Sequence, residues 1–147
     1  MEPDRRNCRK LRNLRDELAL ENKFVVHEAG VWNKKAVLSF SDSGGRQSTF
    51  IDASKLEVSV DTIDSFAGSK YISYIKMDVE GAELQALEGG KTTICKYQPK
   101  LFLAAYHYDA DLFRIPLAIW QLAADYKIYL RKHPYVPAWE LNFLCIK

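Results

Sequence analysis

At 147 residues the chain is long enough to bury one real core, and a hydrophobic share of 48% excludes a disordered polymer. A formal charge of +2 is too small to mark a nucleic-acid or membrane-surface binder, and charged residues interrupt every apolar stretch before it reaches membrane-span length. The three cysteines, Cys8, Cys95 and Cys145, are widely spaced and odd in number, which excludes a disulfide framework or zinc spacing; with no signal-peptide-like start, a reduced, cytoplasmic setting is expected.

In chain order, Cys8, Leu11, Leu14 and Leu18 recur at three- and four-residue steps and predict an amphipathic helix over residues 5–20, with Asp4 as its N-cap. Arg5, Arg9 and Arg12 lie on another face; without interleaved aromatics they read as a solvated surface and not as a nucleic-acid contact. Phe24, Val25 and Val26 predict a short buried strand. Residues 36–41 and 48–51 flank Asp42-Ser43-Gly44-Gly45, a hairpin signal, because adjacent glycines supply the positive φ of a tight turn. Residues 58–64 read as a strand end entering a short helix.

Residues 71–79 carry Ile72, Tyr74, Ile75, Met77 and Val79, dense enough for a central strand buried on both faces. A helix follows from Ala82, with Leu84, Leu87 and Ile94 inward and Gly89-Gly90 placed to kink or split it. Residues 101–106 predict a further strand. Residues 112–124 predict a helix with Leu112, Ile115, Ile119 and Leu122 inward, starting near Phe113 so that Pro116 falls in its first turn. Residues 126–131 and 141–146 read as a final antiparallel pair joined by a proline-containing loop at 133–138. Strands alternating with helices imply a mostly parallel sheet with helices on both faces.

The run Tyr74-Ile75-Lys76-Met77-Asp78-Val79-Glu80-Gly81-Ala82-Glu83-Leu84, followed by Leu87, Gly89 and Pro99, resembles the FkbM family of methyltransferases. Val60-Asp61-Thr62-Ile63-Asp64, Tyr106-His107-Tyr108 with Asp111-Leu112, and residues 126–131 are similar to the same family, in the same order. Glu2-Pro3-Asp4 is similar to the acidic motif at the end of the family's second strand. The resemblance implies a class I, Rossmann-like methyltransferase fold with an antiparallel last strand. It also implies S-adenosyl-L-methionine as cofactor and an oxygen of a small molecule or glycan as methyl acceptor.

One departure stands at the start. The family's first strand, its Gly-x-Gly turn, a helix and the second strand would all precede Glu2, and none of the seven glycines here forms a Gly-x-Gly pair. The chain is therefore expected to lack the first two strands of that fold. Weak or absent cofactor binding and self-association through an exposed sheet edge should follow. The alternative is an inactive fragment or pseudoenzyme serving as a fold or assembly module. A nicotinamide dinucleotide domain is excluded because Gly-x-Gly-x-x-Gly is absent.

Methyl transfer from a sulfonium needs a carboxylate for the ribose diol, walls for adenine, polar groups near the methyl and, for a hydroxyl acceptor, a base. Chemistry alone reads Glu2 as a solvated terminal acid; the resemblance makes it the ribose ligand, its two oxygens suited to two vicinal hydroxyls. Gly30, Val31 and Trp32 fall where the fold touches adenine, and Trp32 reads equally as a half-buried anchor. Asp78, Glu80 and Glu83 sit where a parallel strand ends and a helix begins, the ligand-binding rim of open sheets. Asp78 is assigned to both cofactor and catalysis and Glu80 to catalysis, while Glu83 reads as a helix N-terminal acid. His107 would take the acceptor proton, and Tyr106 and Tyr108 would offer ring faces to the sulfonium. Glu140 is a weaker acceptor-side candidate. Three acids this close also suit a hard cation, but no metal is expected.

Overall fold

The structure, a computed structural model, describes residues 1–41, 55–132 and 141–147. The glycine turn at 42–45, the segment 48–51, the loop 133–138 and Glu140 lie outside the described residues. The elements run α1 (Arg5–Glu17), β1 (Gly30–Val31), β2 (Ala36–Ser41), β3 (Lys55–Asp61), α2 (Ile63–Ala67), β4 (Tyr74–Met77), α3 (Glu83–Gly89), α4 (Lys91–Tyr97), β5 (Lys100–Ala104), α5 (Asp111–Leu122), β6 (Lys127–Lys132) and β7 (Leu141–Ile146). They form a three-stranded sheet ordered β1-β3-β2 and a four-stranded sheet ordered β4-β5-β7-β6.

This is a mixed α/β fold and not a mostly parallel one. Only β1–β3 and β4–β5 pair in parallel; β2–β3, β5–β7 and β6–β7 are antiparallel. Parallel neighbours need a crossover, and among the described residues a full helical crossover between paired strands, α3–α4, joins β4 to β5. The antiparallel end is as expected, with β7 inserted between β5 and β6.

One face of the four-stranded sheet is deeply buried. Leu101 pairs with Cys145 and Leu103 with Phe143, and all four are buried in one core with Leu87, Ile94, Ile115 and Ile119 from α3, α4 and α5. On the other face the pair Phe102 and Leu144 is half-buried and Ala104 is buried.

β4 is not buried on both faces: Tyr74 is 51% exposed, Lys76 is exposed, and only Met77 is buried. The reason is pairing, since β4 has β5 on one side and no strand on the other among the described residues. The predicted strand at Phe24 does not form either. Phe24 and Val25 are exposed, and the strand is the two-residue β1, parallel to the end of β3. A β segment needs a neighbour along its length; among the described residues, 24–28 have one main-chain bond of this kind, from Glu2 N–H to His27 O at 3.0 Å.

Helix signals fared better. Asp4 caps α1 by accepting from the N–H of Arg6 at 2.7 Å and of Asn7 at 2.9 Å. Cys8 is fully buried, yet Leu14 and Leu18 of the predicted stripe are exposed. Arg5 and Arg12 pair with Glu28. Gly89-Gly90 does split the long helix, and for a packing reason: a Cβ on Gly89 would stand 2.1 Å from the Trp32 carbonyl oxygen. α4 begins under a borrowed cap, since Asp64 of α2 accepts from Thr92 N–H at 3.0 Å and Thr93 N–H at 2.8 Å. α5 starts at Asp111, so Pro116 lies in the second turn and not the first, which removes the hydrogen bond that Leu112 C=O would otherwise receive.

Candidate active site

Strand β4 ends at Met77, and the chain turns back within four residues to start α3. The Ala82 N–H donates to Val79 O at 3.1 Å, closing a turn whose central residues, Glu80 and Gly81, have φ of 54° and 92°. Both central φ values are positive, as in a type I′ turn. Gly81 fits because it has no Cβ, which would meet the Tyr108 ring at 2.4 Å. Glu80 pays about 1 kcal/mol to hold the left-handed conformation, a strain that concentrates at functional sites.

The turn holds Asp78 at the rim, where residues from three elements meet. Asp78 Oδ2 accepts from the Tyr106 hydroxyl at 2.8 Å, and Asp78 Oδ1 lies 3.0 Å from His107 Nε2. The His107 side chain is only 10% exposed; its Nδ1 is 3.7 Å from Glu80 Oε2, and its Nε2 is 3.5 Å from Glu83 Oε1. Glu83, 1% exposed, reaches back to accept the Val79 N–H at 3.0 Å. This closes the first turn of α3, which has no other side-chain cap. Burial pushes the Glu83 carboxyl up, with the Val79 N–H and His107 opposing. Asp111, in the first turn of α5, is also buried and also pushed up, against the Tyr108 N–H and His107.

A cleft of about 700 Å³ opens beside this cluster. Glu2, Gly30, Val31 and Trp32 line it from one side, Asp78, Glu80 and Gly81 from the other, with Tyr108, Asp111 and Arg114. Of the predicted site, Glu2, Gly30, Val31, Trp32, Asp78 and Glu80 therefore share one cavity, and His107 adjoins it through Asp78. Glu2 is half-buried; its Oε1 accepts the Asp4 N–H at 2.8 Å and its C=O accepts the Cys8 thiol at 3.1 Å. Val31 is buried and Trp32 half-buried, the Trp32 N–H donating to Asp61 O at 2.9 Å. A Cβ on Gly30 would come within 3.1 Å of Val60 Cγ1, so a larger residue there would crowd β3.

Two features were missed from sequence. Asp111 and Arg114 join the cleft; Asp111 belongs to a family-like motif but was given no site role, and nothing in the spacing marks Arg114, because α5 supplies both from beyond an intervening loop. Tyr106 holds Asp78 by its hydroxyl, and Tyr108 packs on Gly81, so each ring has a structural partner in addition to any ligand.

A model of the Methyltransferase FkbM domain matches residues 1–136. The crystal structure of Methyltransferase FkbM from Methylobacillus flagellatus KT, at 2.20 Å resolution, is similar over 99% of this chain, with a TM-score of 0.81 and 28% identity. The chain covers 35% of that protein, about a third of its length. No curated protein matches the sequence. The ordered run from Glu2 through the Asp78 turn to His107, found again in a family model over most of the chain, places this protein in the FkbM methyltransferase family.

Proposed function

We propose that the chain carries the acid–base side and one wall of the cofactor cleft of an S-adenosylmethionine-dependent methyltransferase of class I, Rossmann-like type, acting on an oxygen of a small molecule or glycan. The observation that carries this reading is Asp78, which lines the cleft with Glu2, Val31 and Trp32 and holds His107, just behind that lining, at 3.0 Å.

The cofactor, when bound, supplies a methyl group already activated as a sulfonium. The residues present fit its nucleoside half. Glu2 Oε1 is engaged by Asp4, and Oε2 remains as an acceptor for a ribose hydroxyl. Val31 and Trp32 offer an apolar wall for adenine. Asp78 is the carboxylate nearest the acceptor side. With both its oxygens engaged, it orients His107: the Nε2–H donates to Asp78, so the Nδ1 lone pair is the one that takes the acceptor hydroxyl proton. Glu80, 3.7 Å from Nδ1, favours the charged imidazolium that results. Glu83 and Tyr106 hold the pair in place from beneath and beside it.

Calorimetric titration with S-adenosylhomocysteine tests the reading. This chain is expected to bind weakly or not at all, and the same chain extended by a strand, a Gly-x-Gly turn, a helix and a second strand should bind in the micromolar range. Micromolar binding by the 147 residues alone would refute the half-cleft account. A second reading, a non-catalytic assembly module, is favoured by the unpaired edge of β4 and by the exposed Phe113, Leu117 and Trp120 on one side of α5. Light scattering tests it: self-association supports strand or helix pairing between copies, and a clean monomer removes it.

A further inference from the structure

We infer that Asp78, Glu83 and His107 form a binding site for one first-row divalent cation, of the Mn²⁺ or Zn²⁺ class. The three side chains each offer one ligand atom, and all three atoms lie within 4.8 Å of one another. Metal–ligand bonds of about 2.0–2.2 Å put neighbouring ligand atoms about 3.0 Å apart at a right angle and about 3.5 Å apart at a tetrahedral angle. His107 Nε2 lies 3.0 Å from Asp78 Oδ1 and 3.5 Å from Glu83 Oε1, so these two edges match the spacing of a coordination shell.

Two further observations point to a missing positive charge. Glu83 is 1% exposed, and among the described residues no donor reaches its Oε2. Asp111, 4% exposed and close enough to act on both Glu83 and His107, also has an oxygen, Oδ2, with no partner. Among the described residues, the ion pairs of Asp78, Glu80 and Glu83 all run to the one imidazole of His107. One nitrogen and two carboxylate oxygens form a mixed donor set that suits borderline first-row ions better than Mg²⁺ or Ca²⁺, which prefer oxygen alone.

The neutral ring carries a single proton, so a cation on the Nε2 lone pair requires the other tautomer: the proton now shared with Asp78 leaves to solvent and Nδ1 takes one up, with no net change in the ring's charge. The bound cation and the base described above are then mutually exclusive states of one imidazole, and the cation inhibits proton transfer. The site itself rests on ligand geometry and stands without the methyl-transfer reading.

The test is calorimetric titration of the 147-residue chain with MnCl₂ and with ZnCl₂, beside Asp78→Asn and Glu83→Gln, each checked for folding by circular dichroism. Saturable binding of one cation, weakened at least roughly tenfold in either variant, is expected. Asp78 is half-exposed, so Asp78→Asn reports even where the buried Glu83→Gln fails to fold. No saturable Mn²⁺ or Zn²⁺ binding up to millimolar concentration, binding unchanged in the folded variants, or tighter binding of Mg²⁺ would overturn the site. A chain that binds Mn²⁺ while its extended form ignores S-adenosylhomocysteine keeps the cation site and loses the methyl-transfer reading.

Discussion

On the β4–α3 side of the cleft, Asp78 is tied to Tyr106 at 2.8 Å and to His107 at 3.0 Å above a carboxylate that is 1% exposed. On the opposite side, Glu2 is held by its own neighbour Asp4, by Cys8 and by one main-chain bond to His27, while Phe24, Val25 and Leu14 stand exposed nearby. The first wall is fixed by side chains that follow β4 and β5 and by α3 over a shared core; the second joins that core through Val31, and around Glu2 it is held by local hydrogen bonds with little apolar cover. Preorganisation of reacting groups needs the first kind of support. A wall that only receives a flat base and a diol tolerates the second kind, provided further structure covers it.

This contrast can be broken in several ways. The largest effect is expected in an extended, active form: His107→Ala and Asp78→Ala should each lower turnover roughly 100- to 10,000-fold, measured as S-adenosylhomocysteine release. Unchanged turnover in both would move the chemistry away from the β4–α3 wall. Next is a close backbone contact that joins the walls, beside the hydrogen bond from Asn33 Nδ2 to Glu88 Oε2 at 2.8 Å. Gly89→Ala drives a Cβ to 2.1 Å from Trp32 O, and urea unfolding should show a loss of roughly 1–3 kcal/mol. A neutral result would mean that β1 can slide off α3 freely.

A smaller effect lies at the borrowed cap. Asp64→Ala should cost about 1 kcal/mol, read from the same unfolding curves. Its pH dependence has a definite sign. Partial burial pushes the Asp64 carboxyl up, but hydrogen bonds from Thr93 and Thr92 outweigh it and hold it below its ordinary 3.8. The folded value is depressed, so the contribution is complete above the ordinary value and drains away as pH falls through the folded one. Thermal melts of the wild-type chain should therefore steepen below that ordinary value of 3.8, and melts of Asp64→Ala should lack this component. The smallest effect belongs to the thin wall: Leu14→Ser, at a 50% exposed position, should shift stability by less than about 0.5 kcal/mol. A larger loss would show that the stripe on α1 is covered, by another copy or by further chain.

Much of this was readable along the chain, because the signals are local. The Asp4 cap and the helix break signalled by Gly89-Gly90 each depend on residues within a few positions of one another, and the antiparallel finish on two strands joined by one proline-containing loop. The order of motifs from Glu2 to His107 was equally a property of the sequence, and it marked the family. What failed was whatever depends on a neighbour far along the chain. Tyr74 and Ile75 look like a buried strand, but burial is conferred by strands on either side, and β4 has one. Phe24 and Val25 look like a strand for the same reason and have no ladder to join.

Glu83 shows the division most plainly. Its position fixes it at a helix start, and the sequence alone justified a dipole acid there. Only the folding of β5 and α5 over α3 buries it beside His107 and Asp111, because desolvation is set by what packs around a group and not by its neighbours in sequence. Sequence therefore determined which chemical groups this protein owns and in what order. The tertiary structure decided which of them lose their water and meet across the cleft.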